Sequence, residues 1–471
     1  MILPVRDLLI LLTAAVLLAI SYATVRYARG ASERFRNYDA FLFEGRLQAH
    51  SIASNVGAVF SLTGFLGATC VYSLVLQGWI QLVTIVVFAV LMLVVRQIVK
   101  RLDEAVPEST GNLLLDFFQK VCPEKDSRAV VYLYSVIYFA LLVEELAVSR
   151  VVLFHLIQQP VVVGLLLCLA TFVIYSYFYL GGFRAVVTAD AVQLVILVLF
   201  AALLLKVVIT EPAGPVRSPF VVTPLSTLSV GGSVVFGVVW FLAALDFYAR
   251  LNFAGRKANA RTTPFIVTSF ALMLALLLVG TAFGRFLGTR VAIHNSSEYA
   301  AHLVRFFLDR SLVASLVLIA AIFAMIFTTL DTLMLATLQS GFYQKKRLFR
   351  RGTLLNIVLV AILVSTRISD NATSVTGIFI GSMFVFPAVA LLRQLWPRVM
   401  FWQPRSPRHL VVAMGLTILA FLGWLPWLET RFELHFLVTL LALVMSILTG
   451  IVAIGLEKLT TLRRKKRERN N

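Results

Sequence analysis

The chain has 471 residues, of which 60% are hydrophobic and 14% charged, with 36 phenylalanines among them. An ordinary soluble enzyme carries charge on about a quarter of its residues, so that class is excluded. The formal charge of +19 would suit a nucleic-acid binder only if the basic residues gathered on one soluble face, and they do not.

Apolar runs of about 20 residues, the length a helix needs to cross hydrocarbon, recur from end to end. They predict an all-α polytopic membrane protein of about 13 transmembrane helices. The spans are 3–24, 44–75, 79–99, 128–150, 157–178, 184–207, 231–250, 264–288, 312–339, 352–368, 373–396, 409–426 and 433–456. One transmembrane domain thus fills 1–471, with no room for a soluble enzyme domain. The first span has neither a charged leader nor a small-residue cleavage motif and is read as retained. Segments 26–50, 96–128, 184, 250–261, 345–351, 393–408 and 458–471 fall on one side and hold 32 of the 42 basic residues. By the positive-inside rule that side is cytoplasmic in a plasma (inner) membrane, with the N-terminus outside and the C-terminus inside. The basic tail 457–471 then meets anionic lipid rather than nucleic acid. Short amphipathic stretches at 113–121 and 297–309 predict surface helices. Cys70 and Cys168 lie within spans and Cys122 in a cytoplasmic loop, so no disulfide framework is available.

Polar residues interrupt this hydrocarbon at a few places. In the second span, the small and polar run Ser51-Ile-Ala-Ser-Asn-Val-Gly-Ala58 has two readings. It is a helix break whose carbonyls hold an ion, or a site of close packing by small residues. Glu144 and Glu145, near the outer end of the fourth span, pair with Arg150 or border an entrance. In the sixth span Asp190 and Gln193 are three apart and share a face. Asp246 and Arg250 are at i,i+4, which predicts a local ion pair at the inner surface. The ninth span carries Thr328, Thr329 and Asp331. Adjacent hydroxyls cannot both face the same neighbour, but they can flank one small cation as hard oxygen ligands. A carboxylate at membrane depth is costly without a partner or a wet path. Asp190 lies about six residues from the inner end of an outward-running span, and Asp331 about eight from that of an inward-running one. Their common depth predicts one shared site; the other reading is an interhelical hydrogen bond that only holds the bundle together. No phosphate-binding loop, catalytic elbow or cysteine–histidine metal spacing occurs, which disfavours an ATP-driven pump. The six histidines are scattered.

Taken in order, these motifs resemble the sodium/solute symporter family, which contains the sodium/proline and sodium/glucose transporters. The pieces are Ala53–Ala58, Thr110–Phe118, Gly181-Gly-Phe-Arg-Ala-Val-Val-Thr-Ala-Asp190-Ala-Val-Gln193, Asp246–Arg250 with its basic follow-on, and Ala321–Thr332. The resemblance implies a five-plus-five inverted repeat of the leucine-transporter type. Residues 44–207 and 231–396 would be the two repeats, with one extra helix (3–24) before them and two (409–456) after. It also implies a sodium site made by the carbonyls of Ala53, Val56 and Met325 and the hydroxyls of Thr328 and Thr329, with Asp190 on the ion's route inward. Asn55, Phe60 and Trp240 are the expected substrate-cavity residues. The chain departs from the family at Asn55, where proline transporters have Asp, at Gly57, a frequent Ser, and at Phe60, which is Gln in sugar transporters. The expected function is Na⁺-coupled import of a small organic solute by alternating access. Na⁺ is then the coupling ion, and no other cofactor is expected. The alternatives are a sensor built on a transporter fold and a proton-coupled transporter using Asp190.

Overall fold

The computed structural model describes residues 5–31, 79–107, 111–211, 242–253, 259–291, 296–343, 351–368, 380, 383–396 and 408–429. Among these, all regular structure is helical, as hydrocarbon demands of a backbone that must satisfy its own hydrogen bonds. In chain order the helices are α1 (Val5–Ala31), α2 (Trp79–Ala105), α3 (Leu113–Val121), α4 (Glu124–Ile157), α5 (Pro160–Thr210) and α6 (Leu245–Phe253). Then come α7 (Asn259–Arg290), α8 (Ser296–Leu308), α9 (Leu312–Tyr343), α10 (Arg351–Ser365), α11 (Val385–Leu395) and α12 (Arg408–Glu429). Among the described residues three stretches are long and apolar enough to cross a bilayer: Pro160–Tyr179, Gly181–Thr210 and Leu312–Gly341. The chain is a membrane protein. The expected spans 44–75 and 433–456, and most of 231–250, lie outside the described residues.

The organising element is α9. It packs against α5, α4 and α1, and every residue from Ala321 to Gly341 is buried. Its other end is open, with Leu312 and Val313 exposed. A helix apolar all round is a buried helix, which is why the polar groups of α9 must find partners on its neighbours.

Spans five and six, expected as separate helices, are two helical stretches, Pro160–Tyr179 and Gly181–Thr210, that meet at a sharp kink within α5. At Gly182 the backbone takes φ 55° and ψ −145°, a region open in practice only to glycine. Beyond the break the sequence alternates by helical period. Asp190, Gln193, Leu197, Phe200, Leu204 and Val207 are buried, while Val195, Leu199 and Ile209 are exposed. One face of this half meets the protein; the other is apolar and suited to lipid.

The surface helix α3 has its cause in one residue. Asn112 caps it, accepting from the backbone N–H groups of Leu114 (3.2 Å) and Leu115 (3.4 Å). Asp116 in the first turn and Lys120 in the last suit the helix dipole. The Asn112 amide also donates to the Leu245 carbonyl (2.8 Å) and to Gln339 Oε1 (3.3 Å). One buried side chain therefore ties α3 to α6 and to the far end of α9.

Candidate functional site

At the level of Thr328, α9 meets the half of α5 that follows Gly182. Thr328 donates its hydroxyl hydrogen to Asp190 Oδ1 at 2.8 Å, and Thr329 donates to the carbonyl of Met325 at 2.8 Å. Both acceptors lack hydrogens, so each hydroxyl is left with outward lone pairs and acts only as an acceptor towards anything else. That is the electronic state a cation needs from an oxygen ligand. Asp190 and Thr328 are fully buried and Thr329 and Met325 nearly so.

Asp190 has a second partner. The Arg250 guanidinium reaches Asp190 Oδ2 at 3.2 Å through the same nitrogen that donates to Thr332 Oγ1 at 2.6 Å. Its other terminal nitrogen lies 3.6 Å from Asp246 Oδ2, and Asp246 accepts from the Tyr138 hydroxyl at 2.6 Å. The predicted Asp246–Arg250 pair exists, but its setting is corrected: Arg250 is fully buried rather than at a surface, because α6 is covered by α3 and α9. Asp331, the next acidic residue on α9, accepts from the Tyr177 hydroxyl and lies 3.4 Å from the Thr332 hydroxyl. Gln193, expected to share a face with Asp190, is buried beside Tyr177. Among the described residues Asp190 and Asp246 thus share one guanidinium in a water-poor interior, with Asp331 close by on α9. Burying charge is expensive unless it is paired, which is why these groups bond to one another across helices.

The structure brings together Asp190, Thr328, Thr329 and Met325. Ala53, Asn55, Val56, Phe60 and Trp240 lie outside the described residues. Glu144 and Glu145 are both buried, and Arg150 donates to the Ile368 carbonyl at 2.7 Å. Sequence reasoning missed Tyr138, Tyr177 and Thr332. Tyr177 sits between Tyr175 and Tyr179 at a spacing of two, which marks no helix face, so nothing in one chain singled it out. Arg250 was visible only through Asp246, its neighbour on the same helix.

No family model matches the chain, and no curated protein matches it by sequence. Its three-dimensional structure is similar to the substrate-bound outward-open state of a Na⁺-coupled sialic acid symporter. The TM-score is 0.64 at 14% identity, covering 94% of this chain and 98% of that one. At that identity the likeness concerns the fold: an all-helical membrane protein built on the architecture of a known transporter.

Proposed function

We propose that the chain is a secondary active transporter that couples entry of a small organic solute to Na⁺ by alternating access. The observation that carries this is the buried contact between Thr328 on α9 and Asp190 on α5, in a fold shared with a sodium symporter. The Thr328 and Thr329 oxygens and the Met325 carbonyl supply neutral ligands, with the carbonyls of Ala53 and Val56 completing the set. Neutral oxygens suit a singly charged ion, and Asp190 adds attraction without occupying the cage. Sodium entering down a membrane potential releases about 2.3 kcal/mol per charge per 100 mV, enough for useful accumulation of solute. Na⁺ must distinguish the two access states energetically, since equal affinity for both would shift nothing.

A proton-coupled reading draws on a specific observation, the buried carboxyl groups of Asp190, Asp246 and Asp331 gathered near Arg250. The test separates the two. Purified protein is melted in NaCl and in KCl at equal ionic strength, alone and with amino acids, sugars (sialic acids included) and carboxylates. A solute that stabilises is then followed into proteoliposomes under an imposed Na⁺ or pH gradient. Sodium-specific stabilisation and sodium-driven uptake are expected. Uptake driven by pH alone would install the proton reading, and ligand binding with no flux would make the chain a sensor.

A further inference from the structure

Arg250 is a buried charged group at this site that the sodium reading does not use. It is fully buried, and so are Asp190 and Asp331, while Asp246 is 4% exposed. Its guanidinium joins three elements at once: Asp246 on its own helix α6, Asp190 on α5 and Thr332 on α9. Tyr138 on α4 anchors Asp246 from behind. The planar fork of arginine can hold several acceptors in fixed directions, which an ammonium cannot do. Beyond this point towards Tyr343, α9 is closed on every side, with Gln339 bonded to Asn112 and Ser340 2.9 Å from Ser135. The helices that would have to part to open this end are those the guanidinium ties together.

We propose that Arg250 is a tethered cation latching the Tyr343 end of the bundle shut: with the guanidinium in place, α5, α6 and α9 stay together at that end. The latch does not depend on the sodium site proposed above.

The experiment uses full-length protein in nanodiscs, with Cys70, Cys122 and Cys168 replaced by Ser and Ala336→Cys introduced. Ala336 is one turn beyond Thr332 towards Tyr343 and is buried, so a polar maleimide reaches it only when that end opens. In KCl without sodium, Arg250→Gln is expected to speed labelling about tenfold, the shift that follows if the latch biases opening by one order of magnitude. Arg250→Lys should fall between, and Thr332→Val, which removes one partner without burying a charge, should speed it about threefold by the same reasoning. Unchanged labelling in Arg250→Gln and Thr332→Val proteins that elute as single species would overturn the latch. If Arg250→Gln does not fold, Thr332→Val and Arg250→Lys decide alone.

Discussion

Thr329 spends its hydroxyl hydrogen on the Met325 carbonyl one turn back, a common habit of threonine in helices, so its packing role alone is small. Its removal is therefore a clean probe of ligation. Thr329→Ala is expected to raise the Na⁺ concentration for half-maximal uptake about tenfold, on the order of 1.4 kcal/mol for one ligand, while leaving the melting temperature nearly unchanged; an unaltered sodium dependence would take Thr329 out of the site. Asp190→Asn differs because Asp190 serves two partners. It should cut turnover more than it raises the solute concentration for half-maximal uptake, and it should lower the melting temperature because Arg250 loses a buried counter-charge. Normal kinetics with lowered stability would leave Asp190 a packing residue. Outside the spans, burial first, and then the neighbouring Asp126 carboxylate, push the Cys122 thiol up to about 11, against an opposing pull from Arg393. Only the thiolate attacks a maleimide, so at pH 7 to 8 Cys122 should react about a hundredfold more slowly than a free thiol. A rate matching free cysteine would show that this corner opens.

Among the elements, α5 carries the clearest backbone requirement. Any side chain at Gly182 must adopt φ 55°, at a cost of about 1–3 kcal/mol. Gly164, earlier in the same helix, has nothing within 4 Å of where a Cβ would sit, and a helical Gly→Ala change in open space favours the helix by up to about 1 kcal/mol. Gly182→Ala should thus lower the melting temperature and Gly164→Ala leave it equal or higher. Equal behaviour of the two would mean that the kink between the two helices does not depend on Gly182. The break was legible in Gly181-Gly182 as a boundary between spans. That the two helices meet at a sharp kink was not, because a glycine pair signals either a loop or a kink and only the packing of both helices on the bundle chooses.

For the whole molecule, the distribution of basic residues predicts which way the bundle faces. By the positive-inside rule the basic loops and tail are expected to put the Tyr343 end of α9 at the cytoplasm, so a reporter fused after Asn471 should be active only on that side; activity outside would put the Arg250 latch at the outer end. The helical class and the polar interruptions were readable from one chain, because hydrocarbon permits few backbone solutions and makes every buried polar residue conspicuous. Depth was readable too, and Asp190 and Thr328 meet at 2.8 Å. What the tertiary structure alone decided is who holds Arg250. Spacing along α6 offered Asp246, but the bonds to Asp190 and Thr332 depend on how three helices cross and rotate against one another, which no periodicity within a single helix records.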